Sequence, residues 1–279
     1  MVSKGKTGIQ EVAPGIWADI LSATGPNAGF ILAGDKTIVV DALVSLGAAR
    51  EMLAGIKKAG GKEPSFLINT HGDGDHIIGN QIFAPPAVVI AQENTHEAIM
   101  KEGAAAIKRT AQIRPDLAEE LKEVTIVIPE ITFCHAMSLN FGSLSINLIY
   151  LGPAHTFGDS VIYIPEEQVL FAGDLMFNHI IPVIKGDSAN WVRALIWLEK
   201  LDIKAVIPGH GYVGTKEDLV ALRKFLQKLR REVKRCYDKG VPEDKAVTEI
   251  NLGKYRDWLR QERVSVDVAK LYKEFSGTS

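Results

Sequence analysis

Metal-ligand side chains fall at the ends of short apolar runs, and this constrains the fold more than any other feature of the 279-residue chain. Phe66-Leu67-Ile68 leads into His71-Gly72-Asp73-Gly74-Asp75-His76. The runs at 144–151, 168–172 and 205–207 lead into Gly152-Pro153-Ala154-His155, Gly173-Asp174 and Pro208-Gly209-His210-Gly211. Short apolar runs bounded by turn residues read as buried strands. Seven potential ligands, His71, Asp73, Asp75, His76, His155, Asp174 and His210, therefore gather at strand ends and in the loops that follow. Gly72 and Gly74 let the backbone turn tightly, so that alternate side chains converge. Imidazole and carboxylate together suit Zn, Fe or Mn.

The rest of the pattern builds a frame for those ends. The first 45 residues read as strands, with a turn or bulge at Asn27-Ala28-Gly29, a hairpin at Gly34-Asp35-Lys36 and a strand at 38–40 ending on Asp41. Helical spacing covers 46–59, and a helix-like start follows at His76–Ile82. A strand is expected at 87–90, then helix over 92–122, interrupted near Arg114-Pro115. Strands return at 124–128, 131–139, 144–151 and 161–164, and a helix fills about 189–200. Residues 216–275 read as helical throughout. Leu219, Leu222, Leu226, Leu229 and Val233 make one apolar stripe there, flanked by a basic face expected to be solvated. The pattern is α/β: two sheets with helices outside, divided as 1–214 and a helical extension at 215–279.

Composition narrows the class. Hydrophobic residues at 46% and charged residues at 24% are globular values and exclude disorder. No run reaches the roughly 18 apolar residues of a spanning helix. Met1 to Ile9 is small and polar, without the apolar stretch of an export signal. Cys134 and Cys236 are too few for a disulfide framework and read as packing residues. A cytoplasmic protein is the expectation, and a net charge of −2 gives no pull toward nucleic acid.

The ordered motifs resemble the metallo-β-lactamase superfamily. Its His-x-His-x-Asp-His signature is matched by His71 to His76, its later His by His155 in GPAHTFGDS, its Gly-Asp by Asp174 in FAGDLMF and its Gly-His by His210 in PGHG. The resemblance covers about residues 9–214. It implies an αββα sandwich and two adjacent divalent metals, with zinc the default. One site would use His71, position 73 and His155. The other would use Asp75, His76 and His210, with Asp174 bridging. A hydroxide between the metals would be the nucleophile. Asp41, Thr70 and Asp159 would steady the ligands from behind.

Asp73 departs from the family pattern, which has His there. Its anionic oxygen hardens the site and tilts it toward Fe or Mn without excluding Zn. It also admits a second reading, a non-haem iron oxidoreductase handling oxygen or sulfur. The leading expectation is a binuclear hydrolase acting on an ester, thioester, lactone or related bond, with β-lactam cleavage as a side activity. Asp75 would carry the proton. Asn178 and His179 are expected on the pocket rim, and the segments 103–122 and 177–190 are expected to shape it. His96 and His135 are assigned to surface or structure, and at least one of Trp191 and Trp197 to the core. The expected partner is a small-molecule substrate rather than a membrane or nucleic acid. The C-terminal helices either cap the pocket or join a homo-oligomer.

Overall fold

The computed structural model describes residues 5–277. The expectation for Met1 to Lys4, and the outermost ends of the two expected segments, lie outside these residues. The chain runs β1 (Gly8–Ala13), β2 (Ile16–Ile20), β3 (Asn27–Ala33), β4 (Lys36–Val40), α1 (Leu46–Lys58), β5 (Pro64–Asn69), α2 (Gly74–Ile77), α3 (Asn80–Phe83), β6 (Val88–Gln92) and α4 (Glu93–Ile113). It continues with β7 (Ile131–Phe133), β8 (Ala136–Phe141), β9 (Leu144–Tyr150), β10 (Ser160–Ile164), β11 (Val169–Phe177), α5 (Ser188–Leu198) and β12 (Ala205–His210). The extension is α6 (Lys216–Asp238), α7 (Glu243–Glu249) and α8 (Arg263–Ser276).

Strands β1 to β7 form one sheet in sequence order, and β12-β11-β10-β9-β8 form the other. Side-chain alternation along a strand sorts the core into layers. Ile38, Val40 and Ile68 point between the sheets, where they join Ile146, Ile162 and Phe171. Val39 and Leu67, one residue over, face outward onto Met52 and Ile56 of α1. Val161 and Leu170 face the opposite way, onto Trp191, Leu222, Leu226 and Val268 of the helical side. The product is the expected αββα arrangement. Trp191 is buried and Trp197 lies partly exposed on α5.

The stripe expected on 219–233 is the buried face of α6, with Phe225 and Cys236 added. Thr215 and Asp218 close a capping box at its start. Its basic flank is not wholly solvated. Arg223 pairs with Glu199, and Arg230 pairs with Glu274 at 3.0 Å, joining α6 to α5 and α8. Cys236 is buried, whereas Cys134 is exposed and donates to Glu93 at 2.8 Å. Among the described residues no helix is long and apolar enough to cross a membrane.

Several local expectations change. Residues 124–128 form no strand. Ile126 packs on Gly103 of α4, and Pro129 next to the run lacks an N–H to donate. The run at 131–139 divides at Cys134-His135, so that β7 ends one sheet and β8 begins the other. Asn27-Ala28-Gly29 opens β3 rather than turning, and Asn27 Nδ2 donates to Pro208 O and Gly211 O at 2.9 and 2.7 Å. The long C-terminal helical reading is three helices with a 3-10 turn at Gly253–Asp257 between the last two. Strands β11 and β12 also run further than expected, through Asp174 and His210. Their parallel pairing continues past the expected ends by shifting register at Gly173. Gly173 has φ +49°, and a side chain there would strike Thr70.

Candidate metal centre

Four imidazoles are anchored through one ring nitrogen and leave the other facing a common centre. Thr70 Oγ1 meets His71 Nδ1 at 3.0 Å, and Asp41 Oδ2 meets His76 Nδ1 at 3.0 Å. Val183 O meets His155 Nδ1 at 2.6 Å, and Thr24 O meets His210 Nδ1 at 3.2 Å. A carbonyl or carboxylate accepts Nδ1–H, which fixes the tautomer with the Nε2 lone pair free for a metal. Asp41 supports two of the expected ligands at once. Its Oδ1 accepts Thr70 N at 2.8 Å, and its Oδ2 accepts Thr70 Oγ1 at 2.7 Å as well as the His76 ring. Asp41 adopts φ 57°, an uncommon conformation for a non-glycine residue, held here by those bonds. Asp159 folds the His155 loop around itself by accepting Thr156 N at 2.8 Å and Thr156 Oγ1 at 2.7 Å.

The free nitrogens converge on Asp174. Its Oδ2 lies 3.7, 3.2 and 3.5 Å from Nε2 of His71, His155 and His210, and its Oδ1 lies 3.2 Å from Nε2 of His76. Asp174 finds this room because residue 209 is glycine; a side chain there would occupy the carboxylate's space. Donor atoms of His71, Asp73, His155 and Asp174 all lie within 4.8 Å of one another, and so do those of Asp75, His76 and His210. The seven expected ligands are therefore brought together, Asp73 included. His71 Nε2, His76 Nε2 and Asp174 Oδ1 are buried without a hydrogen bond. Buried polar atoms are nearly always satisfied, so three orphans facing one point fit a metal pair.

Burial favours the neutral form of each group, but the cluster's charges reverse that preference. Imidazoles of His210, His76, His71 and His155 hold Asp174 well below the usual carboxylate range. Hydrogen bonds to His155 and His71 and the Lys185 charge do the same for Asp73. Asp174 and Asp41 raise His76 well above an ordinary histidine. His71 and His76 are both raised by the neighbouring carboxylates, so loading a divalent cation there would release protons.

A cavity of about 490 Å³ opens over the cluster. Asp73, Asp75, His155, Asp174 and His210 reach its wall, as do Thr110 and Arg114 of the expected rim and Val183 and Lys185 of the second rim segment. Asn178 and His179 do not line it. Asn178 Nδ2 donates to Tyr212 O at 2.8 Å, and His179 meets Asp218 at 3.2 Å against the Trp258 ring. His135 is exposed, and His96 bonds Pro129 O at 3.0 Å, away from the cluster. Three residues escaped the sequence reading. Lys185 forms an ion pair with Asp73, and Arg260 and Arg263 reach the cavity from the C-terminal extension. A lone lysine in the apolar run IIPVIKG was a signal available for the first; for the arginines the sequence offered none.

Residues 21–210 match the metallo-beta-lactamase superfamily. The chain belongs to that superfamily. Members of that superfamily are metallo-hydrolases, and this chain carries His/Asp groups that could hold a metal ion. It is 31% identical over 114 residues to a metallo-beta-lactamase type 2 of Bacteroides fragilis, covering 38% of this chain and 44% of that enzyme. It is 28% identical over 198 residues to the 2,4-dinitroanisole O-demethylase subunit alpha of Nocardioides sp. (strain JS1661), covering 67% of this chain and 53% of that subunit. The chain thus spans about half the length of these two curated relatives. Its fold resembles a stereoselective inverting sec-alkylsulfatase from Pseudomonas sp., with TM-score 0.78 and 17% identity over 98% of this chain and 51% of that one. That likeness takes in the C-terminal helices.

Proposed function

We propose that the protein is a two-metal hydrolase of small-molecule esters, thioesters, lactones or related bonds. One observation carries this reading: four histidines present Nε2 to one shared carboxylate, with every Nδ1 already engaged. His71, Asp73 and His155 would hold one metal and Asp75, His76 and His210 the other, with Asp174 between them. Bound divalent metals supply Lewis-acid polarisation of the scissile group and a water acidic enough to react near neutral pH. The chain supplies position and proton transfer. Asp75 lines the cavity with its side chain 33% exposed, close enough to His210 to stay oriented and open enough to meet substrate. It takes a proton from the attacking water and returns it to the leaving group. Carboxylate ligation from Asp73 suits harder ions, so Fe and Mn stand beside Zn as candidates.

The names of similar proteins suggest where to look first. An alkylsulfatase and an O-demethylase subunit both point to small substrates with a C–O or S–O bond to break, which joins sulfate esters and aryl ethers to the panel. The test reconstitutes the protein with Zn, Mn or Fe and follows product release from that panel. Turnover that needs both metal and Asp75 supports the reading. Asp73 favours one further reading, non-haem iron oxidation; substrate-dependent oxygen uptake by the iron form, with no hydrolysis, would replace the first.

A further inference from the structure

Four cationic side chains, Arg114, Lys185, Arg260 and Arg263, stand in the wall of the metal cavity. Three have an acidic partner. Lys185 is paired with Asp73, Arg114 with both oxygens of Asp116, and Arg260 with Glu262 at 3.6 Å. Arg263 is different. Among the described residues its guanidinium makes one hydrogen bond, Nη1 to Ile181 O at 3.2 Å, and no ion pair. It lies 5.8 Å from the centre of the Phe177 ring, and that ring stacks on His210 at 5.0 Å and meets His155 at 5.6 Å. The unpaired charge is thus one aromatic ring away from two expected metal ligands.

Its position is built rather than incidental. Arg263 opens α8, and the preceding backbone is fastened to the catalytic half of the molecule. Ile181 N donates to Leu259 O at 2.9 Å, and Leu259 N donates to His179 O at 3.0 Å. Asp267, one turn along α8, accepts Ile184 N at 2.9 Å. Arg260 holds φ 64° at the bend that delivers α8 to the cavity, and its Nη2 donates to Thr24 Oγ1 at 3.3 Å. A half-buried guanidinium with unused donors, on a fixed support, is a ready receptor for an oxyanion, which it can bind through two N–H groups. The cluster's own carboxylates do not use it up. Asp41, Asp73, Asp75 and Asp174 carry four negative charges, which two divalent cations together with Lys185 would more than balance.

We propose that Arg263 is a specificity-determining residue that binds an oxyanionic group of the substrate, so that the C-terminal extension selects anionic small molecules for the metal site. This rests on the metal-site reading above. A carboxylate, a sulfate or a phosphate shares the required chemistry: a planar or tetrahedral oxyanion with two oxygens to offer.

The test is calorimetric binding of inorganic sulfate, inorganic phosphate and benzoate to the metal-reconstituted full chain. Wild type, Arg263→Gln, Arg263→Lys and Arg114→Gln are compared, with metal content measured on the same samples. Loss of a charged hydrogen-bonding partner should weaken at least one anion by about 10- to 100-fold in Arg263→Gln, while Arg114→Gln changes it by less than about threefold. The lysine variant should fall between, since it keeps charge and loses the fork. The anion most affected names the oxyanion. Equal binding by wild type and Arg263→Gln, equal losses in both glutamine variants, or no anion binding by wild type would each overturn the proposal. Metal missing from the wild type would overturn the metal-site reading instead, and the arginine comparison would still be decided by the anion titrations.

Discussion

The two groups of the metal centre share a design and differ at one residue. Each has two histidines and one cavity-facing carboxylate, and each leans on Asp174. Asp75 stands 3.5 Å from His210 and, among the described residues, forms no ion pair with a lysine or arginine. Asp73, with its side chain 22% exposed, meets His155 at 3.1 Å and is also gripped by Lys185. A carboxylate that already neutralises an ammonium is a weaker ligand than one free to face a metal. The group holding Asp75 should therefore take metal first, and the group holding Asp73 should hold it more loosely.

The sharpest way to break that comparison is to remove what the groups share. Asp174→Ala should release both metals and lower hydrolysis by more than about 100-fold, beyond the range seen when an outlying partner of a ligand is lost. Retention of either ion at wild-type affinity would contradict a shared carboxylate. Asp41→Asn comes next. Asp41 supports His76 directly and His71 through Thr70, one histidine in each group, so both affinities should fall by about 10- to 100-fold together. A one-sided loss in a metal titration would show that the groups are not jointly braced.

Lys185→Met should act on one group only. Freed from the ammonium, Asp73 should bind its metal more tightly, by on the order of tenfold. The tighter site should not move, and weakening of either site would refute the competition. Asp267→Asn should touch neither metal and so provides a control in the extension. Burial raises the Asp267 carboxyl to about 8 despite its bond from Ile184 N and the nearby Arg263 charge. Because the folded value lies above the unfolded one, its contribution to stability is complete below about pH 4 and is lost as pH climbs to 8. Asparagine keeps the acceptor for Ile184 and does not ionise. The variant's melting temperature should exceed wild type's by about 2–4 °C at pH 8.5, and the two should converge toward pH 5. Parallel melting curves across that range would show that Asp267 does not titrate with folding.

The same contrast marks what the sequence could reveal. The clustered side chains were legible because they follow short apolar runs, and because four of them fall between His71 and His76. Alternation at Ile38-Val39-Val40 and the three-four spacing of α6 were equally plain, being local rules of side-chain direction. What escaped depends on distant partners. No periodicity shows that 131–139 changes sheets midway, since both halves remain extended. The Asp73–Lys185 pair joins residues 112 positions apart. Arg263 reaches the cavity only because Leu259 bridges to 179–181. Asn178 and His179 looked like rim residues from their place after Asp174, but β11 runs on to Phe177 and carries them past the cavity to Tyr212 and Asp218.

Elemental mass spectrometry of the protein, purified without added metal or chelator and then titrated with Zn, Mn and Fe, tests the central claim most directly when Asp73→Ala is run beside wild type. Wild type should bind about two ions, one tighter than the other, and Asp73→Ala should keep about one at unchanged affinity. Fewer than about 0.2 ions per wild-type chain after titration, or two equally tight ions in both proteins, would contradict it.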